Sequence, residues 1–251
     1  MSQMVFIHGP GAGGCAEAFR YQLDHFPGSL APTLPGHPDG TPCESIARYT
    51  DWVRGWLWAQ NARQDLVLVG FTLGACIALQ YALDYPEEVR GLVLMTVSMR
   101  PKQREAGTLD FRLQAAQDPV VFERWLDSMR EAMHFVDAER REQLITWHRR
   151  VGPLSQHHDL VVIDRFDVRD RIKSLAPPLL LIRGMDDPLA LEEYERELHE
   201  AVPGSQYLPL RQSGHFPMAE RPDVVNQAIH TFLEKIAATP RPNAGPRARV
   251  L

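Results

Sequence analysis

Residues 70–74 form the pentapeptide Gly-Phe-Thr-Leu-Gly, which lies between two segments of different periodicity. The segment before it, Leu66–Val69, is a continuous apolar run, and the segment after it, Ala75–Leu79, suits a helix. A hydroxyl side chain at such a strand-to-helix turn, with a glycine two positions away on either side, is typical of a nucleophile elbow. Glycine is favoured there because a neighbouring Cβ would collide with the strained turn. The pattern therefore predicts an elbow with Thr72 at its apex.

Short apolar runs alternate with amphipathic segments along most of the chain. Four runs are continuous and apolar, as in strands buried on both faces of a sheet, and they comprise residues 4–7, 66–69, 92–97 and 179–182. Helical spacing occupies residues 15–26, 44–60, 73–85, 191–202 and 222–237. This alternation predicts an α/β fold, with a mostly parallel doubly wound sheet and helices on both of its faces.

Residues 100–172 depart from this alternation. They are rich in Arg, Glu, Asp and Gln, and helical spacing within them covers residues 119–134 and 137–150. We therefore expect a helical cap, inserted into a core that is formed by residues 1–99 and 173–237. Residues 238–251 hold three prolines and three arginines, and we expect them to form a disordered tail.

The charge balance argues against nucleic acid and anionic membranes as partners, because the net charge is −5 and the pI is about 6.1. No apolar run approaches the roughly 18 residues that a membrane-spanning helix needs. The three cysteines are scattered and show neither metal-binding nor redox spacing. Only three residues precede the first apolar run, so we expect no signal peptide and a cytoplasmic location. The expected partner is a small-molecule substrate, and no pattern indicates an oligomeric state.

Three further segments carry residues that suit catalysis, and each is expected directly after a strand. Residues 8–14, His-Gly-Pro-Gly-Ala-Gly-Gly, can fold tightly and present backbone N–H groups toward a developing anion. Residues 183–188, Arg-Gly-Met-Asp-Asp-Pro, supply a carboxylate that can hold a histidine in one tautomer. Residues 213–217, Ser-Gly-His-Phe-Pro, supply a histidine in a loop before the last helix.

Hydroxyl, carboxylate and imidazole thus follow one another as Thr72, Asp187 or Asp186, and His215. Ligands of doubly wound sheets bind beyond the carboxyl ends of the strands, so we expect these side chains to converge there. His8 is expected to be structural, beside the glycine-rich turn. The neighbouring histidines at 157 and 158 point apart on a regular element, and no metal site is expected.

The glycine-rich loop has a competing interpretation. Gly9, Gly11 and Gly14 also fit the dinucleotide-binding pattern G-x-G-x-x-G between a strand and a helix. That pattern requires an acidic residue about 20 positions further on, at the end of the second strand. The corresponding stretch, residues 30–34, contains no carboxylate. We therefore do not expect a nucleotide or any other cofactor.

Taken together, these segments resemble the α/β-hydrolase fold superfamily over about residues 4–237. The resemblance rests on four motifs in the family's order, HGPGAGG, GFTLG, GMDD and GHFPMAERP. It implies that Thr72 is the nucleophile, His215 the base and Asp187 the acid, with Asp186 as the alternative acid. It further implies that no cofactor is needed and that the antiparallel strands which often open this fold are absent or reduced.

The same resemblance places the backbone N–H of Leu73 in an oxyanion hole. Two residues depart from the family pattern in this region. Thr72 replaces the usual serine, and its extra methyl group stiffens χ1 and crowds the turn. Pro10 follows His-Gly, where many family members donate an oxyanion hydrogen bond, and proline has no N–H. Gly11 is the residue that we expect to donate instead.

The expected function is hydrolysis of small ester-like or related carbonyl substrates through an acyl-enzyme. Two alternatives remain: a hydrolase-like protein that binds a small molecule, and a lyase or cofactor-free oxygenase in which His215 is a general base. The cap decides the shape of the pocket. Its large apolar residues either line that pocket or form the cap's own core, and they are Trp125, Met129, Met133 and Trp147.

Overall fold

The computed structural model describes residues 2–11, 16–103 and 106–239. Its centre is a sheet of five parallel strands, arranged in the order in which they occur along the chain. The strands are β1 (Gln3–Ile7), β2 (Leu66–Phe71), β3 (Val89–Met95), β4 (Leu179–Gly184) and β5 (Gln206–Leu210). An isolated parallel bridge joins Leu30 to Val5 on the outer side of β1.

The strands bury side chains on both faces of the sheet. On β2, Leu66 and Leu68 pack into one hydrophobic cluster, while Val67 and Val69 pack into another on the opposite face. Because both faces are buried, the sequences of β1 to β4 are almost continuously apolar. The predicted α/β fold is confirmed. The predicted run at 92–97 is shifted, because β3 begins and ends earlier. The half-exposed edge strand β5 was not predicted.

The described residues form nine α-helices. They are α1 (Arg20–His25), α2 (Ile46–Ala59), α3 (Leu73–Asp84), α4 (Thr108–Gln117), α5 (Pro119–Ala132), α6 (Ala138–Asp164), α7 (Glu193–Ala201), α8 (Pro217–Glu220) and α9 (Pro222–Ala238). Helices α2, α3 and α7 pack on one face of the sheet, and α9 packs on the other. Local signals fix several starts: Ser45 caps α2 by accepting a hydrogen bond from Arg48 N, and Pro222 opens α9.

Helices α4, α5 and α6 lie between β3 and β4 in the chain, within the segment that was predicted to form the cap. The segment differs from the expectation in two ways, since α4 was not predicted and α6 continues well past residue 150. Helix α6 is kinked at Gly152, whose φ is 79°, directly before Pro153. Its second half reaches the main core through Leu160 and Ile163. The division into a core and a cap at residues 100–172 therefore stays a proposal.

Helix α9 continues to Ala238, one residue into the predicted tail. The rest of that tail, beyond Thr239, lies outside the described residues. No helix in the described parts of the chain is both long enough and apolar enough to cross a membrane.

Candidate active site

Thr72 stands at the turn between β2 and α3. Its backbone has φ 47° and ψ −106°, a region in which a β-branched residue is a genuine outlier. Three hydrogen bonds hold the turn: Thr72 N donates to Met95 O, and Thr72 O accepts from the N–H groups of Ala75 and Cys76, each at 3.0 Å. Strain of this kind persists only where the surrounding structure enforces it, and it clusters at functional sites.

The two glycines around Thr72 are required by close packing. A Cβ added at Gly74 would lie 1.9 Å from the carbonyl oxygen of Ile7 on β1. One added at Gly70 would lie 2.5 Å from the carbonyl oxygen of Gly74. Both contacts are with backbone atoms, which cannot move aside cheaply. The crossing of β1, β2 and α3 thus explains the spacing of the glycines.

His215 and Asp187 lie in direct contact, although they are far apart in sequence. The His215 Nδ1 atom is 2.9 Å from Asp187 Oδ2 and 3.1 Å from Asp187 Oδ1. The Asp187 carboxylate also accepts hydrogen bonds from the N–H groups of Leu189, at 2.7 Å, and Ala190, at 3.2 Å. The alternative acid, Asp186, is exposed, and its Oδ2 accepts from Gln212 N at 3.0 Å. Of the two candidate acids, Asp187 is therefore the one that contacts the imidazole.

The surroundings favour the ionised form of Asp187. Burial acts to raise its pKa, but the attraction of His215, the hydrogen bond to that ring and the charge of Arg183 together hold the pKa below its usual value. Arg183 Nη1 is 3.6 Å from Asp187 Oδ2 and 3.1 Å from Glu195 Oε2. A carboxylate can only accept, so the Nδ1 of His215 carries the proton that faces it. In the neutral ring, Nε2 is then the basic nitrogen.

The structure places Thr72 and His215 on the same cavity but does not join them by a hydrogen bond. Within the described parts of the chain, Thr72 Oγ1 has no hydrogen-bond partner. The hydroxyl lies against Gly9, where an added Cβ would be 1.9 Å from Oγ1. The structure therefore places carboxylate and imidazole in contact, and places the threonine hydroxyl on the same cavity as the imidazole without a hydrogen bond between them.

The predicted oxyanion residues lie at the start of α3 and on the loop after β1. Leu73 is the first residue of α3, and the first N–H groups of a helix have no partner within it. Pro10 lines the cavity, and Gly11 beside it has φ +62°. Residues 12–15, the rest of the predicted glycine-rich loop, lie outside the described residues.

His8 uses both ring nitrogens in structural hydrogen bonds. Its Nδ1 is 3.0 Å from Gly9 O, and its Nε2 accepts from Leu34 N at 2.9 Å. Burial, with a smaller contribution from the nearby His37, lowers the pKa of His8 to about 3. The ring is therefore neutral and holds the loop after β1 in place.

The cavity above Thr72 has a volume of about 140 Å³. Ligand pockets for drug-sized molecules are typically about 300–1,000 Å³, so this cavity suits a small group. Among the four large apolar cap residues, Met129 lines the cavity, whereas Trp125 and Met133 are buried in the hydrophobic cluster. Trp147 lies on a separate groove near Trp52.

Five polar cap residues that sequence patterns did not indicate also line the cavity, namely Lys102, Thr108, Arg112, His148 and Gln156. The side chains of His148 and Gln156 are hydrogen bonded to each other across the kink of α6. His148 lies over the loop after β1, because a Cβ added at Gly11 would be 2.0 Å from its ring. Neither residue belongs to a motif, and only the fold of the cap brings them here.

Glu220 is a further residue that the sequence patterns missed, and it lies outside the cap. Its Oε2 accepts hydrogen bonds from Ser213 Oγ at 3.0 Å and from Gly214 N at 2.5 Å, the two residues that precede His215. Burial raises the pKa of Glu220 to about 7, against the opposing effect of these hydrogen bonds. Glu220 thus anchors the loop that carries His215. A signal for it exists in the sequence, since it lies within GHFPMAERP.

The described residues contain no group of three or more His, Cys, Asp and Glu side chains placed to hold a metal ion.

Comparisons with known proteins indicate the family to which this chain belongs. A profile described as "Alpha/beta hydrolase family" matches residues 4–228. The pimeloyl-(acyl-carrier protein) methyl ester esterase of Vibrio campbellii is 27% identical over 236 residues, which cover 85% of this chain and 87% of that protein. A thermophilic esterase from Thermogutta terrifontis superimposes with a TM-score of 0.79 at 20% identity, covering 94% of this chain and 90% of that one. The enol-lactonase from Burkholderia xenovorans gives 0.79 at 16% identity, covering 93% and 92%. The likeness to these two solved structures is evidence for the fold only.

Proposed function

This chain belongs to the alpha/beta hydrolase family and is an esterase-like hydrolase, and on that premise we propose that it cleaves esters of short acyl groups through an acyl-enzyme on Thr72. The observation that carries the proposal is the contact between Asp187 and His215, in which Asp187 orients an imidazole that lines one cavity with the strained Thr72. A nucleophile, a base and a group that orients the base are the three parts that acyl transfer requires.

In the first half of the reaction, the Thr72 oxygen attacks the ester carbonyl carbon while His215 Nε2 accepts the hydroxyl proton. The N–H groups of Leu73 and Gly11 stabilise the negative charge that develops on the carbonyl oxygen. The tetrahedral intermediate then expels the alcohol, which takes the proton from His215. Asp187 remains ionised throughout and stabilises the imidazolium.

In the second half, His215 deprotonates a water molecule that attacks the acyl carbon. The carboxylic acid leaves, and the proton returns from His215 to the Thr72 oxygen. No change of oxidation state and no further reactant is needed.

Thr72 and His215 must come into hydrogen-bond contact before the attack, because Thr72 Oγ1 lies against Gly9 and has no partner among the described residues. Rotation about χ1 is a local movement that changes the direction of this oxygen. Hydrogen bonds between catalytic groups are often long or absent before the substrate binds.

The size of the cavity supports small acyl groups. A volume of about 140 Å³ lies below the roughly 300–1,000 Å³ that pockets for drug-sized ligands have. Acetate, propionate and butyrate esters therefore suit it better than long-chain esters. We expect kcat/KM to fall steeply once the acyl chain exceeds about six carbon atoms, and an acyl-chain series of p-nitrophenyl esters measures this.

A second candidate function follows from the missing hydrogen bond at Thr72. Because His215 is oriented by Asp187 while Thr72 Oγ1 has no partner, His215 is also arranged to act alone as a general base on a bound carbon acid. That chemistry would make the protein a lyase or a cofactor-free oxygenase, and it would not need the threonine hydroxyl.

Hydrolysis of p-nitrophenyl propionate by two variants separates these candidates. Under the proposed mechanism, Thr72→Ala and His215→Ala each lower kcat by at least about 1,000-fold. Thr146→Ala and His134→Ala, which change exposed cap residues of the same types, are the matched controls and keep the parent rate. Full ester hydrolysis by Thr72→Ala, together with loss of activity in His215→Ala, would replace the proposal by the general-base mechanism.

A further inference from the structure

The hydrogen bonds around Gln156 fix the orientation of its amide group. Gln156 Nε2 lies 3.2 Å from the carbonyl oxygen of His148 and 3.1 Å from that of Gly152. Carbonyl oxygens only accept hydrogen bonds, so the amide nitrogen must occupy this position. The other end of the amide, Oε1, therefore faces His148, at 3.1 Å from Nδ1.

This orientation determines where His148 carries its proton. Because Gln156 Oε1 can only accept, His148 Nδ1 must donate to it. Burial is the largest influence on the ring and lowers the pKa of His148 to about 3, so the imidazole is neutral at ordinary pH. A neutral imidazole has one proton, and the second nitrogen, Nε2, therefore bears a lone pair and can only accept.

The acceptor on His148 is buried and unsatisfied. The residue is 2% exposed, and its Nε2 has no hydrogen-bond partner among the described residues. Buried acceptors of this kind are nearly always paired in native proteins, because leaving one unpaired costs free energy. The ring lines the cavity that also contains Thr72 and His215, and it lies against Gly11.

The acceptor character also excludes one role for His148. The one N–H of the neutral ring, at Nδ1, is already donated to Gln156, and Nε2 bears a lone pair, so the ring does not serve as an oxyanion donor. Its natural partner is instead a hydrogen-bond donor in the bound substrate.

We propose that the acyl group of the substrate carries a hydroxyl or N–H group that donates to His148 Nε2. This inference rests on the proposed ester hydrolysis at Thr72. The small cavity limits the position of the donor, because only a few atoms fit between the reacting carbonyl and the cap. The donor is therefore on the second or third carbon atom of the acyl group, counted from the carbonyl, and short hydroxyacyl esters are the preferred class.

Matched p-nitrophenyl esters test this preference. The series comprises propionate, 2-hydroxypropionate and 3-hydroxypropionate, with the 2-methoxy and 3-methoxy analogues as controls of similar electronic effect that cannot donate. Each kcat/KM is divided by the rate of hydroxide-catalysed hydrolysis of the same ester. We expect a hydroxy-to-methoxy ratio of about tenfold or more at one of the two positions, because a site built to accept a donor rejects an analogue without one.

Two variants assign that ratio to His148. In His148→Phe, which keeps an aromatic ring but has no acceptor, the ratio should fall to about one. In Gln156→Glu, the carboxylate favours a doubly protonated His148, whose Nε2 then donates, and the preference should shift toward the methoxy ester. A parent ratio below twofold at both positions, with normal hydrolysis of the propionate ester, would overturn the inference and leave the proposed function intact.

If no ester is hydrolysed, the proposed function fails, and the inference about His148 then needs a test that does not depend on catalysis. Nitrogen–proton correlation spectra of the ¹⁵N-histidine-labelled protein report the tautomer of His148 directly. We expect the Nδ1–H form at pH 7, with an Nε2 signal that shifts when 3-hydroxypropanamide, but not 3-methoxypropanamide, is added. An Nε2–H tautomer, or equal responses to both amides, would contradict the inference.

Discussion

The cavity has two walls that are built in different ways. The core wall includes Thr72 and His215 at the carboxyl ends of the strands, with Asp187 in contact with His215. The Asp187 carboxylate has several partners, since it accepts from one ring nitrogen and two backbone N–H groups. The cap wall includes Met129, His148 and Gln156 on α5 and α6, and its His148 retains a buried acceptor without a partner among the described residues.

This difference assigns catalysis to the core wall and discrimination between substrates to the cap wall. In the core wall, Asp187 already orients His215 before the substrate arrives, as a preorganised catalytic pair must, while Thr72 Oγ1 still lacks a partner. The cap wall becomes complete only when a substrate satisfies it. Changes in the core wall should therefore alter the rates for all esters by the same factor, whereas changes in the cap wall should alter the ratio between esters.

The largest effect is expected from Asp187→Asn. The amide cannot stabilise the imidazolium, and it favours the wrong tautomer of His215, so kcat should fall by about 1,000- to 10,000-fold on every ester tested. Steady-state kinetics on the propionate and 3-hydroxypropionate esters measures this. The neighbouring Asp186→Asn is the matched control and should retain the parent kcat within about twofold. A loss confined to one class of ester would break the comparison of the two walls.

The next effect concerns the backbone that shapes the core wall. In Gly74→Ala, the new Cβ would lie 1.9 Å from Ile7 O, so we expect the free energy of unfolding to fall by about 3 kcal/mol. Gly55→Ala is the control, because no atom lies within 4 Å of its added Cβ in α2, and it should gain up to about 1 kcal/mol. Urea denaturation measures both. Equal effects would mean that the elbow is not closely packed.

A pH-dependent effect is expected at Glu220. Its pKa rises from 4.5 to about 7 on folding, so the folded protein binds more protons than the unfolded chain between these values. Stability contributed by this group is therefore present at low pH and is lost as the pH rises through this window. Between pH 5 and pH 7.5, the parent should lose roughly 2 kcal/mol of unfolding free energy relative to Glu220→Gln. Parallel pH profiles of the two proteins would show that Glu220 is not the responsible group.

The smallest effect is expected from Thr72→Ser. Removing the methyl group eases the χ1 rotation that turns the oxygen toward His215, and kcat/KM should rise by about tenfold. Since the change lies in the core wall, propionate and 3-hydroxypropionate esters should gain by the same factor. A serine variant that is no faster than the parent on esters of several acyl lengths would contradict the inference that the methyl group of Thr72 hinders attack.

Sequence patterns predicted the core wall better than the cap wall, for physical reasons. The fold could be predicted because parallel strands buried on both faces, such as β2, must be apolar throughout. The elbow was recognisable because close packing allows only glycine at positions 70 and 74. Half-exposed elements give weaker signals, which is why α4 and β5 were not predicted.

Sequence patterns could not identify His148 Nε2 as the acceptor on the cap wall. His148 and Gln156 are eight residues apart, and their hydrogen bond spans the kink at Gly152 and Pro153. Their contact with the loop after β1 depends on how the cap lies over the sheet, which no local pattern specifies. The rotamer of Thr72 was missed for a similar reason, since it depends on the space beside Gly9.

The central claim, that Thr72 is the nucleophile, is tested most directly by mass spectrometry of the protein after reaction with a fluorophosphonate. Trypsin releases Thr72 in the peptide 64–90, which contains no serine and no other threonine. We predict a single adduct on Thr72 of this peptide, absent from both Thr72→Ala and His215→Ala. An adduct at another residue, or an active enzyme that carries none, would contradict the account.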